Sequence, residues 1–312
     1  MQRSLTLRRN FVLVCLLAAL PIHSAFGWGK DGHKIINRVA METLPVDMPA
    51  FLRTPQAVQE VEYLGPEPDR WRSSAEPELS VTQAPNHFID LELADLAAPS
   101  GLPKLRYEFL RDLYRAQAKY PRLAERLTPQ RVGLLPWQAN EGFERLRDDM
   151  QIERKRAAAQ QPIDGAELAV LYDIGVLGHY VGDGSQPLHT TVDYDGWTEA
   201  KNPQGFTRRR GIHSEFETEF VHDTMNAAEV RVLVPAAPRI LHSPFADFVQ
   251  YLRGTHNQVA EVYRLEKRGG FDGDGIAQSR TFTAERLAAG AAMLRDMIVT
   301  AWVESGQVTA NY

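Results

Sequence analysis

Residues 168–189, LAVLYDIGVLGHYVGDGSQPLH, decide how this chain is read. Leu168, Leu171 and Ile174 recur at helical spacing, which predicts a helix with an apolar face turned to a core. His179 and Asp183 stand four residues apart near its end, so imidazole and carboxylate share one face, one turn apart. Gly184 and Pro187 must end the helix, and the chain can then fold back with His189.

The same period recurs along the chain. Leu105, Phe109 and Leu113 form one such set, and Leu287, Ala291, Leu294, Ile298 and Trp302 another. Further helices are expected at about 32–44, 137–159, 211–227 and 245–267. Proline and glycine interrupt the pattern in LGPEPDRW, AAPSGLPK, GSQPLH and RGGFDGDG. Only Glu229 to Val234 has a strand-like composition. With no linker or repeat in sight, the expectation is all-α: a compact multi-helix single domain with long loops, over 28–312.

Residues 1–27 begin with Arg3, Arg8 and Arg9, continue through an apolar run from Phe11 to Leu20 and end with Ala25 and Gly27, the layout of a signal peptide. An apolar run of about ten residues falls short of the roughly 20 that span a bilayer, and no later stretch does better. The expected protein is therefore exported, periplasmic or secreted, without a stable membrane span, and most simply a monomer. Cys15, the only cysteine, lies in the leader, so the mature chain has no thiol nucleophile or disulfide. Loss of three arginines takes the formal charge from −5 to −8, which argues against nucleic-acid binding by bulk basic charge.

Chemistry-bearing residues fall in a set order. His213 and Glu217 in GIHSEFE repeat the four-residue spacing of His179 and Asp183. Asp69 in EPDRWR and His87 in APNHFIDLE lie on proline-bounded loops, and His33 follows Trp28 by five residues. Imidazole and carboxylate are the donors zinc accepts where thiolate is absent. Cleavage after Gly27 would free the Trp28 α-amino group, whose reference pKa near 8 leaves its lone pair available, with the Trp28 carbonyl completing a chelate. Other candidates carry less. His222, His242 and His256 lack a partner at metal spacing, and Asp90 and Asp173 read as structural. In FDGDG, Ile276 stands where a calcium loop needs a side-chain ligand, and no G-x-S-x-G supports a serine triad.

The ordered set Trp28, His33, Asp69, His87, His179, Asp183, His189, His213 and Glu217 resembles the zinc-dependent nuclease and phospholipase C superfamily, over residues 28–217. The resemblance implies a helical cleft holding three Zn²⁺ ions. Asp69, His87, His179 and Asp183 would bind one, His189, His213 and Glu217 a second, and Trp28 with His33 a third, bridged by Asp183. The short Trp28-to-His33 spacing and long gap from His189 to His213 look like the single-strand-specific nuclease branch, and Glu217 like the phospholipase C branch. Where nucleases commonly place Gly-Gly-Asn after QPLH, this chain has HTTVDYDGW, with Asp193 and Asp195 bringing negative charge near an anionic substrate.

The expected function is a trinuclear zinc hydrolase of phosphate esters, a nuclease-type phosphodiesterase acting on single-stranded nucleic acid or nucleotides in preference to phospholipid. Asp69 and Asp183 are its expected catalytic carboxylates, working with a water acidified by the paired ions. Arg72 would orient Asp69 or contact substrate, with Arg70 as a second candidate, and Tyr194 and Trp197 would stack on a base or face a choline-like cation, with loop anchoring as the alternative. The alternatives are a zinc-dependent phospholipase C, a non-catalytic zinc- or lipid-binding exported protein, and a metal-free helical interaction module.

Overall fold

Three glycines, Gly175, Gly178 and Gly182, leave a bare strip on the helix Asp164–Asp183, and neighbouring helices close onto it. The computed structural model describes residues 28–307; the expected leader lies outside them. Its longer helices are α1 (Lys30–Glu42), α2 (Pro55–Leu64), α3 (Arg106–Lys119), α4 (Leu135–Ala158), α5 (Asp164–Asp183), α6 (Pro244–His256), α7 (Val259–Glu266) and α8 (Ala277–Ser305). Among the described residues there is no β-strand, only isolated bridges joining Ile89 to Gly133 and Tyr194 to Gly196. The fold is all-α around one continuous core, and no described helix is long and apolar enough to cross a membrane.

Helix α5 is the axis of this core, packed against α1, α2, α4 and α8. A Cβ at Gly178 would overlap Asn37 Oδ1 of α1 and reach within 2.7 Å of Leu294 Cδ2 of α8, so only glycine permits the approach. Buried Asn37 uses it: its Nδ2 donates to Val61 O at 2.8 Å and to Gly175 O at 3.0 Å, tying α1, α2 and α5 at one point. Leu287, Ala291, Leu294 and Ile298 of α8 are fully buried, as their spacing implies, with Trp302 half-buried at the end. Phe109 of α3 stacks on Trp137 of α4 at 4.1 Å, which docks the outer helix.

Several local expectations are corrected. Glu229 to Val234 is not a strand; Ala227–Arg231 is a helical turn, because Asn226 Oδ1 accepts from Glu229 N at 3.0 Å and caps it. Leu105 and Leu168, expected in the core, are each 60% exposed; each lies at or near the start of its helix, where the packed face has not yet begun. The helix expected at 245–267 is two, α6 and α7, broken at Asn257 and Gln258. Asp69 and His87 sit not in loops but in the short helical turns Glu67–Arg70 and Ala84–His87, where Pro68 and Pro85 preset the backbone of the first turn.

Gly178→Ala is expected to cost about 1–3 kcal/mol of unfolding free energy through overpacking, read by urea denaturation of the metal-free chain. An unchanged midpoint would contradict the close approach of α1 and α5.

Candidate metal centre

Six separate segments deliver the site's side chains. α1 contributes His33 in its first turn, and α5 contributes His179 and Asp183 in its last two. Asp69 and His87 come from the two proline-started turns, and the 3₁₀ turn Pro187–Thr190 returns His189 to the end of α5. His213 and Glu217 lie where the turn Ile212–Ser214 passes into the π-helical turn Glu215–Glu219. One added residue in that ladder re-aims side chains, a feature common at functional sites.

These residues form three groups, each with its donor atoms within 4.8 Å of one another: His33, His179 and Asp183; Asp69, His87 and His179, which shares His179 with the first; and His189, His213 and Glu217. Asp183 is the hub, with Oδ2 at 3.1 Å from His87 Nδ1 and 3.3 Å from His179 Nε2, and Oδ1 at 3.5 Å from His33 Nε2. Asp69 Oδ1 is 3.8 Å from His179 Nε2 and 3.9 Å from His87 Nδ1. In the remaining group Glu217 Oε2 lies 2.7 Å from His213 Nε2 and 3.5 Å from His189 Nε2.

Backbone carbonyls fix which imidazole nitrogen faces inward. His179 Nδ1–H donates to Gly65 O at 2.8 Å, His189 Nδ1–H to His87 O at 2.6 Å and His213 Nδ1–H to Tyr194 O at 3.0 Å. Each bond holds the proton on Nδ1 and leaves the Nε2 lone pair aimed into the cluster, the arrangement that orients metal-ligating histidines.

The donor set fits a cation. His33 Nδ1 and Nε2, Asp69 Oδ1, His87 Nε2 and Asp183 Oδ1 are buried without a hydrogen-bond partner, each omission costing about 1–3 kcal/mol if nothing answers it. Burial is the chief cause of every shift in the cluster. It pushes Asp69 up to about 6, Asp183 to about 7 and Glu217 to about 8, and holds His33, His87 and His179 below the ordinary histidine value. The raised carboxyls favour folding below their unfolded values and lose that contribution as pH rises through about 6 to 8. The depressed histidines work the other way, losing theirs as pH falls below the unfolded value. Burial thus favours the uncharged form of both sets, and divalent ions are a partner that ionised carboxylate and neutral imidazole can share. The three groups can therefore hold metal ions.

Other expected residues are placed as follows. Trp28 is fully buried, its Nε1–H donating to Ser185 Oγ at 2.6 Å and its ring 5.2 Å from Phe216, while Gly29 N donates to Glu217 O at 3.2 Å. That seats residue 28 between the segments bearing Asp183 and Glu217. Arg72 Nη1 lies 3.6 Å from Asp69 Oδ1, whereas Arg70 turns away to Glu67 and the Tyr63 ring. Tyr194 lines a cleft of about 440 Å³ together with Arg72, His189 and His213. Trp197 does not line it; its ring packs on Phe206 and Tyr263 and anchors the loop. Asp195 Oδ1 accepts from Gly211 N at 2.6 Å and His213 N at 3.4 Å, and Asp193 Oδ1 from Thr198 N at 2.6 Å, so both carboxylates brace the loop.

Two contributors had no signal at sequence level. Gln186 Nε2 donates to Glu217 Oε2 at 3.0 Å while its Oε1 accepts from Leu188 N at 2.7 Å, linking the turn of His189 to Glu217. Ser185 receives the Trp28 indole. Both stand in the GSQPLH segment, but their partners are 31 and 157 residues away.

Zinc binding at pH 6.5 is expected to release about one to two protons, falling toward zero at pH 9, because Asp183, raised to about 7, and Glu217, raised to about 8, hold protons in the metal-free site. Calorimetry in buffers of different ionisation enthalpy reads this, and pH-independent release would show that burial does not set these values. Comparison of the sequence with family models and with curated proteins finds no match.

Proposed function

We propose that this chain is a zinc-dependent phosphoric ester hydrolase of nuclease type, which cleaves phosphodiesters of single-stranded nucleic acid or nucleotides in the cleft beside His189 and His213. The observation that carries this reading is that two ligand side chains of one group, His189 and His213, line an open cleft together with Arg72, which pairs with Asp69 of another group. A metal held only for folding is normally closed on all sides by protein, while a catalytic one keeps positions open. The ordered ligand set and its resemblance to the zinc nuclease and phospholipase C superfamily support the same reading.

Zinc held by these residues supplies Lewis acidity that acidifies water and polarises a phosphoryl oxygen. Three such ions against Asp69, Asp183 and Glu217 leave a local formal charge of about +3, enough to draw a phosphodiester to an otherwise acidic protein. The chain's own residues do the rest. Asp69 would serve as a ligand and help position the attacking water, with the Arg72 guanidinium orienting it. Asp183 links two ligand groups through its two oxygens. Tyr194, 40% exposed with its ring 6.0 Å from His213, offers a face for a base. Trp28 would complete the site through its amino and carbonyl groups once residues 1–27 are removed, making export and processing part of activation.

Glu217 is the feature that favours phospholipase C, so the test separates the two. Processed, zinc-loaded protein is assayed on single-stranded DNA, RNA, a 3′-nucleotide and phosphatidylcholine. Turnover of nucleic acid or nucleotide is expected, with His189→Ala losing at least about a hundredfold in kcat/KM and Arg70→Gln, in its surface ion pair, staying within about twofold. Turnover of phosphatidylcholine alone would assign the site to the phospholipase branch. Failure on every ester, with Glu217→Gln changing only the melting temperature, would make it a non-catalytic metal protein.

A further inference from the structure

The cleft that exposes His189 and His213 has a second, basic wall. Arg126 and Arg131 line it, from the segment that precedes α4, with Phe88, Leu188 and Val192 lining apolar parts of the same cleft. Both arginines are exposed, and neither side chain makes a hydrogen bond or ion pair among the described residues. The carboxyl of Asp90, which also lines the cleft, feels both guanidiniums. Asp90 is buried, and burial pushes it well above the usual carboxylate range. Glu125 also lines the cleft and offsets one unit at most.

This wall is held rigidly against the ligands. Asp90 N donates to Val132 O at 2.7 Å, Leu134 N to Pro85 O at 2.6 Å and Leu135 N to Phe88 O at 3.2 Å, while Ile89 N donates to His189 O at 2.9 Å. Segments 85–90, 132–135 and 189 are thereby one backbone-bonded unit, with Arg131 at its edge. Gly133 makes this possible: its φ of 85° suits glycine, and a Cβ there would overlap Phe88 O. Leu127, fully buried, anchors the turn that carries Arg126.

We infer that Arg126 and Arg131 form a second anion subsite, selecting phosphodiesters that carry another phosphate beside the scissile one. This rests on the phosphodiesterase reading for its reaction but not for its geometry. A scissile group at His189 and His213 and a neighbouring phosphate at the arginines would occupy the cleft together, with apolar side chains beside the connecting nucleoside. A choline headgroup would place a cation against two guanidiniums. The subsite thus names the substrate class: nucleotidyl diesters with an adjacent phosphate, as in an oligonucleotide or a 5′-phosphorylated dinucleotide.

The probes are dithymidine phosphorothioate with and without a 5′-terminal phosphate, titrated calorimetrically into processed, zinc-loaded protein, alongside turnover of the matching ordinary diesters. Wild type is expected to bind the phosphorylated probe about tenfold more tightly at low salt, with the preference collapsing at about 0.5 M NaCl. In the double variant Arg126→Gln, Arg131→Gln, its fold checked by circular dichroism, the preference should fall to about twofold or less. Equal affinity of wild type for both probes, or an undiminished preference in the double variant, would overturn the subsite even if both diesters are hydrolysed. An arginine-dependent preference without turnover of either diester would uphold the subsite and defeat the hydrolase reading instead.

Discussion

Asp183 is fully buried at the end of α5 and faces three imidazoles at 3.1–3.5 Å, none of which holds a proton readily. A carboxylate so placed has lost its hydration, and neutral histidines return little of it. Protonating Asp183 relieves this but leaves the His33 nitrogens and Asp69 Oδ1 without partners. Protonating the histidines instead puts cations into the same dry interior, which burial opposes. Divalent ions are a partner that carboxylate and neutral imidazole can share, one donor atom from each residue. The rest of the architecture can be understood as what is needed to bring these groups within reach.

Reach is a matter of backbone approach before it is one of side chains. His33 stacks on His179 at 3.8 Å between ring centroids, a distance that α1 and α5 attain because Gly178 and Gly182 present no side chain at the crossing. Asn37, one turn beyond His33, locks that crossing through two buried hydrogen bonds. On the other side, Gly65 follows α2 closely enough for its carbonyl to hold His179 Nδ1–H. The helices that form the core therefore also set the tautomer and position of the site's imidazoles. Stability and site geometry share the same few contacts.

Much of this was legible in the chain, for a physical reason: ligand pairs four apart on a helix, and a glycine–proline stop before His189, are local patterns. All eight side chains in the proposed ligand set, from His33 to Glu217, fall in the three groups or at their hub, and Trp28 lies alongside. What escaped was long-range or depended on a cap. The β-branched run ending at Val234 looked like a strand because its composition was visible, while the Asn226 cap that winds it into a helix draws on one side-chain bond. Periodicity gave the face of α5 but not where packing begins, so Leu168 was placed inside. Of the readings open for Trp197, substrate contact gives way to loop anchoring, since Phe206 and Tyr263 claim its ring. Gln186 and the arginines at 126 and 131 had no pattern at all, since their roles exist only once distant segments meet.

The acidic loop after His189 shows why residue type near a site is a poor guide to its field. Asp193 and Asp195 read as charges that would repel a phosphate. In the fold, Asp195 accepts from the amides of Gly211 and His213, and Asp193 from Thr198, while Tyr263 Oη–H donates to Asp193 O at 2.5 Å. Carboxylates engaged by amide donors project less field outward than free ones, and these two spend theirs on holding His213 and its loop in place. The cleft itself is lined by three guanidiniums, Arg72, Arg126 and Arg131, against the carboxyls of Asp90 and Glu125. A surface that is acidic in sum thus presents a locally basic mouth, and the electrostatic objection to an anionic substrate gives way to the geometry of who is bonded to whom.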